Sequence, residues 1–217
     1  TYMRTDSLNL SKQFLDDAKK YLTSTYGKEY ALTKPNVFKT KSKGAQEAHE
    51  AVRPTDAHMD PDTLKAKLKP NQVRLYTLIW QRSIASQMPE AVMDATALNI
   101  EPIGTDYTFR TTGQVIKFQG YLKVYPEKTQ EQSLPDVKAK EELTFKSLDK
   151  EQHFTKPPAR YSDAGLVKIL ESHGIGRPST YAPTLSTIEA RNYVKRDENK
   201  KLFPTDIAYV VTDLLVG

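Results

Sequence analysis

The sequence predicts an α+β chain built from three consecutive parts. Apolar residues recur at helical spacing in residues 1–88 and again in residues 158–217. Between them, residues 89–157 hold short runs rich in Val, Ile, Thr, Tyr and Phe with Gly, Pro and Asp at their ends, a pattern typical of antiparallel strands. We therefore expect a helical first domain, a β-rich connector and a helical last domain.

Composition limits what the chain can be. Its 217 residues carry a net charge of +5, which permits a polyanionic partner. The absence of cysteine excludes disulfides, thiolate zinc sites and a cysteine nucleophile within these residues. No apolar run approaches the roughly 18 residues of a membrane helix, and no secretory pattern opens the chain, so a cytoplasmic location is predicted. The chain starts at a Thr and ends within an apolar pattern, so we expect a part of a longer protein.

The first segment places a phenol beside a guanidinium. In an extended strand Tyr2, Arg4 and Asp6 share one face, about 7 Å apart. A phenol is a poor nucleophile at neutral pH unless nearby positive charge stabilises its anion or the phosphate that it attacks. Arginine suits the second task because its fork can hold a phosphate by two parallel hydrogen bonds. The same spacing also fits an ordinary half-exposed strand with a surface ion pair.

The next segment predicts a helix from Ser11 to Tyr26, followed by a basic loop. Its inward face repeats at helical spacing, and Gly27 stands where a C-terminal cap belongs. The inward residues are Phe14, Ala18, Tyr21 and Leu22. The loop over 28–45 contains Lys39, Lys41 and Lys43, which are either simply solvated or flank a DNA path.

Residues 46–55 combine a histidine and an arginine. Read as a helical turn that Pro54 ends, this segment places His49 and Arg53 on one face, where both could contact one phosphate. The same spacing is more often that of a His and an Arg on a solvated helix face. His49-Glu50 also resembles half of a zinc protease motif, but Arg53 occupies the position of the second histidine, so no metal site is expected.

Two further helices are predicted before the connector. A short one follows Asp60-Pro61, with proline in its first turn. A longer one over 71–88 carries an apolar stripe, for which a core position is favoured over base stacking at its tryptophan. The stripe residues are Val73, Tyr76, Trp80 and Ile84.

The connector is predicted to be an antiparallel β region that acts as a hinge or arm. The predicted strands are Ala95 to Ile100, Tyr107 to Arg110, Gln114 to Phe118, Tyr121 to Tyr125 and Leu143 to Phe145. We find no catalytic group of residues in it. His153, at its exit, is interpreted as structural.

The last part predicts a winged helix. Ser162 caps a helix that carries Leu166, Val167 and Leu170 inward and ends at Gly174. A second helix is expected from about Thr180 to Arg191, and Ser179 is suited either to cap it or to contact DNA. A basic β-hairpin over 193–203 follows, and a helix-turn-helix with such a hairpin favours a nucleic-acid surface.

Three segments also resemble type IA DNA topoisomerases. They are Tyr2-Met3-Arg4-Thr5-Asp6-Ser7, Ala48-His49-Glu50-Ala51-Val52-Arg53-Pro54 and Gly174-Ile175-Gly176-Arg177-Pro178-Ser179-Thr180-Tyr181-Ala182. Met3 favours the bacterial topoisomerase I branch over topoisomerase III and reverse gyrase. The resemblance implies part of a toroidal enzyme that relaxes negatively supercoiled DNA without ATP. It does so by cleaving one strand through a 5′-phosphotyrosine link, passing the other strand and resealing the break.

The resemblance also implies roles for individual residues. Tyr2 would be the nucleophile and Arg4 its phosphate-stabilising neighbour. The implied DNA-binding residues are His49 and Arg53 near the tyrosine, Arg177, Ser179 and Thr180 along a groove for single-stranded DNA, and Arg191 near the next turn.

The family also implies a magnesium cofactor, held by an acidic cluster in a separate N-terminal TOPRIM domain. No comparable Asp-x-Asp cluster with a Glu nearby occurs here, so the Mg²⁺ ligands of the parent enzyme are expected outside these residues, and no metal ligand is assigned within them. This chain alone is therefore predicted to bind DNA without cleaving it. The parent is expected to be a monomer associated with the nucleoid.

Two alternatives compete with this interpretation. A non-catalytic winged-helix DNA-binding protein would explain residues 161–203 but not the first two segments. A tyrosine recombinase or type IB-like enzyme also groups Tyr, Arg and His around a phosphate. Those enzymes carry the nucleophile late in the chain and form a 3′ link, which disfavours them.

Overall fold

A computed structural model describes residues 2–38, 49–127 and 131–216. The predicted basic loop at Lys39, Lys41 and Lys43 lies outside the described residues, as do residues 46–48. The chain forms two compact units. The described residues of the first unit are 2–3, 7–38, 49–127 and 131–144. Those of the second unit are 4–6 and 145–216.

The described residues mix helices and strands, as predicted. The helices are α1 (Lys12–Thr25), α2 (Pro61–Leu64), α3 (Pro70–Ala85), α4 (Asp163–Ser172), α5 (Pro178–Ala190) and α6 (Asp206–Val216). The strands are β1 (Met3–Arg4), β2 (Glu50–Ala51), β3 (Val92–Ile100), β4 (Phe109–Phe118), β5 (Val194–Arg196) and β6 (Leu202–Pro204). They pair as β1–β2, β3–β4 and β5–β6. Short 3₁₀ helices cover Lys28–Tyr30 and Gly120–Lys123.

Helix α1 forms as the sequence predicts. The Ser11 hydroxyl accepts a hydrogen bond from the Phe14 amide, which caps the helix start. Gly27 follows the C-cap with φ +106°, a conformation that favours glycine. All four residues predicted to face inward are buried.

The core of the first unit joins α1 to α3. Trp80 is 4% exposed and donates its indole N–H to the Ala57 carbonyl at 2.9 Å, so the predicted core position of Trp80 is confirmed. Ile84 is fully buried, whereas Val73 and Tyr76 of the predicted stripe are only half-buried. The buried cluster consists of Phe14, Ala18, Tyr21, Leu22, Ala57, Trp80, Ile84, Met88 and Val124.

In the described part of the connector, two strands form a ribbon, and an isolated antiparallel bridge joins Gln132 to Gln114 beside it. Strands β3 and β4 pair antiparallel from Val92↔Phe118 to Ile100↔Phe109, close to three of the predicted strands. The strand predicted at Tyr121 to Tyr125 is wrong, because the Tyr121 amide donates to the Pro89 carbonyl and the chain coils into the 3₁₀ helix. The strand predicted at Leu143 to Phe145 is also wrong. Residues 133–162 form neither helix nor strand.

The second unit contains the two predicted helices, the turn between them and the hairpin. The Ser162 hydroxyl accepts from the Gly165 amide and caps α4. Gly174, with φ +71°, ends that helix. Strands β5 and β6 pair antiparallel, and the Leu202 amide donates to the Tyr161 carbonyl, which joins the hairpin to the segment before α4. Helix α6 was not predicted.

The helices in the described part of the chain are too short or too polar to cross a membrane. Helix α6 is the most apolar stretch among them, yet it has only 11 residues.

Candidate active site

Tyr2 stands immediately before β1 with its side chain largely in solvent. It is 70% exposed, so a large ligand can reach its phenol. Its ring meets the ring of His49 edge to face, with centroids 5.3 Å apart and an interplanar angle of 63°. The structure thus brings the predicted nucleophile and the predicted histidine together.

The extended segment predicted around Tyr2 is shorter than expected. Strand β1 ends at Arg4, and Thr5 and Asp6 form a turn. The prediction of one strand face shared by Tyr2, Arg4 and Asp6 is therefore wrong for Asp6. The physical reason is that the chain bends inward at Ser7, which is 8% exposed and donates its hydroxyl proton to the His49 carbonyl at 2.5 Å.

His49 precedes a strand and does not lie on a helix. Strand β2 pairs with β1, and the Ala51 amide donates to the Asn9 carbonyl at 2.7 Å. These non-local bonds replace those of the predicted helical turn, and the proline after Arg53 also disfavours helix. The prediction that His49 and Arg53 share a helix face is wrong. The Nδ1 atom of His49 is buried and has no hydrogen-bond partner among the described residues.

Arg53 lies against the protein and binds a buried carboxylate. Its Nε and Nη2 atoms donate to the two carboxylate oxygens of Glu50, at 2.5 and 3.0 Å. Its remaining donors contact the carbonyls of Pro54 and Thr55 and the hydroxyl of Ser11. The side chains of Arg53 and Glu50 are 11% and 7% exposed. The pair is therefore a buried, fully hydrogen-bonded ion pair.

The environment of Glu50 strongly favours its charged form. Burial alone would raise the pKa of Glu50, but hydrogen bonds from Arg53 and from the Ser11 amide outweigh it and lower the pKa to about 2. The carboxylate consequently stays charged at neutral pH.

These contacts do not favour the predicted contact between Arg53 and DNA. All of its N–H groups already face protein acceptors. A phosphate could bind it only by displacing some of these partners, which would leave Glu50 buried with fewer donors.

In the second unit, three of the predicted DNA-contact residues, Arg177, Ser179 and Thr180, lie at the start of α5. Arg177 is exposed and is the N-cap residue. The Thr180 hydroxyl accepts from the Arg177 amide at 2.8 Å and donates to its carbonyl at 3.0 Å. Ser179 is exposed and is not the cap, so the capping alternative for Ser179 is wrong. A helix start with exposed hydroxyl and guanidinium groups suits contacts with a phosphate backbone.

Arg191 and the hairpin carry further basic side chains at the other end of α5. Arg191 is the exposed C-cap residue of α5. Arg196, in contrast, donates to Glu189 and Asp163, so it links the hairpin to α5 and α4. The side chains of Lys195 and Lys200 are exposed.

Sequence reasoning missed three residues that build the site: Ser7, Ser11 and Glu50. Each binds the segment around His49 or Arg53 through a side chain. Glu50 could have been recognised from its place directly after His49 and three residues before Arg53. The two serines could not, because their partners are about 40 residues away.

Metal ligands do not cluster in the described ranges. Within 2–38, 49–127 and 131–216, no group of three or more His, Asp or Glu side chains could hold a metal ion. The described residues therefore supply no ligand set for the magnesium ion, whose site the family resemblance implies in a separate domain.

Comparison with known proteins agrees with the resemblance. The DNA topoisomerase family model matches residues 1–217. The chain is 46% identical over 215 residues to DNA topoisomerase 1 of Campylobacter jejuni, covering 99% of this chain and 30% of that protein. It is 44% identical over 223 residues to DNA topoisomerase 1 of Rickettsia conorii, covering 100% of this chain and 29% of that protein.

A solved topoisomerase structure is also similar to this chain. The chain superposes on full-length topoisomerase I from Thermotoga maritima with a TM-score of 0.78 and 32% identity, over 99% of this chain and 34% of that one. The chain thus spans about a third of the length of the proteins that it matches.

Proposed function

Because this chain belongs to the DNA topoisomerase family, we propose that it supplies the nucleophile and part of the DNA-binding surface of an ATP-independent topoisomerase. The observation that carries the proposal is the exposed phenol of Tyr2 against the His49 ring. This phenol lies within the segment that resembles the family's active-site tyrosine segment.

The proposed reaction is a transesterification on single-stranded DNA. The Tyr2 oxygen attacks a backbone phosphorus, the bond from phosphorus to O3′ breaks, and the protein stays linked to the 5′-phosphate. The phenol loses a proton and the leaving O3′ gains one. After strand passage, attack by O3′ reverses the step and restores the phosphodiester, so no ATP is consumed.

Positive charge next to the phosphate is the chemical requirement of this step. Arg4, which ends β1 two residues after Tyr2, is proposed to stabilise the phosphate charge that grows during the attack. His49 is proposed to lie along the bound strand. Arg177, Ser179, Thr180 and Arg191 are proposed to hold the DNA backbone without reading its sequence.

The rest of the enzyme is also part of the proposal. We assign residues 1–88 to a helical tyrosine domain, 89–157 to a connector that acts as a hinge and 158–217 to a winged-helix-like part of a toroidal type IA enzyme. Magnesium is assigned to ligands outside this chain. The whole enzyme is proposed to be a monomer that works on DNA in the cytoplasm, and this chain alone to bind DNA without cleaving it.

Plasmid relaxation tests the proposal. A full-length topoisomerase that carries this segment is incubated with negatively supercoiled plasmid, magnesium and no ATP, as wild type and as Tyr2→Phe. The wild type should relax the plasmid and the variant should not, while both bind single-stranded DNA with similar affinity. Relaxation by the Phe variant would contradict the assignment of Tyr2.

A second function is favoured by the helix-turn-helix and its hairpin. A non-catalytic winged-helix protein would use Arg177, Arg191 and the exposed Lys195 and Lys200 to bind DNA. If this second function is correct, wild type and Tyr2→Phe should both bind DNA, and neither should form a covalent adduct.

A further inference from the structure

The buried ion pair of Glu50 and Arg53 has no role in the proposed reaction itself. Burying two charges is costly and is tolerated only when geometry and extra hydrogen bonds compensate. Here the Glu50 carboxylate accepts hydrogen bonds from Arg53 Nε, Arg53 Nη2 and the Ser11 amide, at 2.5, 3.0 and 2.7 Å. Such complete pairing beside a candidate active site indicates that the ion pair holds residues of the site in position.

The pair is connected directly to His49. Glu50 is the next residue in the chain, and on the other side the Ser7 hydroxyl donates to the His49 carbonyl. The backbone of His49 is therefore held by a hydrogen bond at its own carbonyl and by the ion pair one residue later. The ring so placed is the one that lies against Tyr2.

The pair is also connected to the core. The Ser11 amide belongs to the N-cap residue of α1, and the Arg53 guanidinium lies 5.0 Å from the centroid of the Phe14 ring. Phe14 is 2% exposed within the buried cluster. Strand β2 is thereby held against a packed helix, which gives His49 a rigid support.

We propose that Glu50 and Arg53 are positioning residues that hold His49 against Tyr2 in the geometry required for DNA cleavage. Arg53 then acts through Glu50 and does not itself contact phosphate. This inference rests on the proposed role of Tyr2 as nucleophile.

Single-turnover cleavage separates positioning from phosphate contact. The full-length enzyme is mixed at saturating concentration with a single-stranded oligonucleotide labelled at its 3′ end, and the covalent adduct is trapped with denaturant. Arg53→Lys keeps the charge but loses the planar fork that fits the carboxylate. We expect it to slow adduct formation by about 10- to 100-fold, with the Kd for the oligonucleotide and its salt dependence unchanged.

Glu50→Gln should slow the same step to a similar extent. It keeps the side-chain size and an acceptor for the Ser11 amide. If Arg53→Lys does not fold, Glu50→Gln decides the test at a temperature where it is folded. The double variant should be no slower than the worse single one, because both changes break one unit.

The opposite result identifies a direct phosphate contact. In that case Arg53→Lys would cleave at close to the wild-type rate, and Arg53→Gln would weaken binding and lower the slope of log Kd against log salt by about 0.7. Glu50→Gln would then cleave normally. Any of these results overturns the inference.

Two controls complete the design. Lys65→Gln removes a cation from an exposed ion pair with Asp62, at the same sequence spacing as Glu50 and Arg53, and should behave as wild type. Tyr2→Phe should form no adduct. If Tyr2→Phe does form the adduct, the proposed function fails. If it forms none and the Arg53 and Glu50 variants cleave normally, only the positioning inference fails.

Discussion

At the level of single residues, Tyr2 and the Glu50–Arg53 pair meet opposite requirements. The Tyr2 phenol must be open to a polymer, and 70% of the residue is exposed. Glu50 must stay away from solvent, because its strong hydrogen bonds depend on a fixed and dry environment. His49 lies between them, with its ring against Tyr2 and its backbone joined directly to Glu50.

The ionisation of Glu50 predicts an acid-dependent stability. Its pKa in the folded chain is about 2, against an ordinary value of 4.5. Because the folded value is the lower one, the stabilisation is fully present above about pH 4.5 and is lost as the pH falls toward 2. The amount is roughly 3 kcal/mol.

Urea unfolding of wild type and Glu50→Gln across pH 2 to 7 measures this contribution. The variant should be less stable at neutral pH, and the difference in free energy of unfolding should shrink as the pH falls. Parallel curves for the two proteins would contradict the assigned ionisation.

Arg177 predicts a measurable phosphate contact. It is exposed at the start of α5, where the helix dipole and a guanidinium both attract anions. Arg177→Gln should weaken binding of single-stranded oligonucleotides of any sequence and lower the slope of log Kd against log salt by about 0.7. Fluorescence anisotropy over a salt series measures both.

Arg74→Gln is the matched control, because it removes the same charge from an exposed position on α3. Equal effects of the two substitutions would indicate a general charge effect and would contradict a contact at Arg177.

At the level of helices and strands, sequence patterns correctly predicted those elements that local interactions stabilise. Helix α1 was predictable because its apolar repeat, its Ser11 cap and Gly27 all lie within the segment. Strand β2 was not predictable, because the bonds that replace a helical turn there come from β1 and Asn9, about 40 residues away. The aromatic run from Tyr121 to Tyr125 looks like a strand, yet burial of Val124 and the bond to Pro89 coil it into a 3₁₀ helix.

The burial of Trp80 on helix α3 predicts a large effect of its substitution on the free energy of unfolding. Trp80→Ala removes a 4% exposed ring and its hydrogen bond to Ala57, and should lower the free energy of unfolding by about 3–5 kcal/mol. Affinity for single-stranded DNA should not change at a temperature where the variant is folded.

Leu75→Ala on the same helix is the control, because Leu75 is 61% exposed and should change stability by less than about 0.5 kcal/mol. Unchanged stability of Trp80→Ala together with weaker DNA binding would instead support a base-stacking role.

For the whole molecule, three short sequence segments were sufficient to identify the family, and the comparisons confirm that identification. Residue roles were less predictable. The family resemblance implied a DNA contact for Arg53, and its spacing from His49 permitted a shared phosphate. Only the three-dimensional contacts reveal that the donors of Arg53 are occupied. Because this chain spans about a third of the matched proteins, the magnesium site and the complete DNA path stay predictions.

Identifying the residue that carries the DNA tests most directly whether Tyr2 is the nucleophile. A full-length enzyme with this segment is allowed to cleave a single-stranded oligonucleotide, trapped with denaturant and digested, and the adduct is located by mass spectrometry. We expect a peptide that contains Tyr2 joined to a 5′-phosphate. A link to another residue, or to a 3′-phosphate, would contradict it.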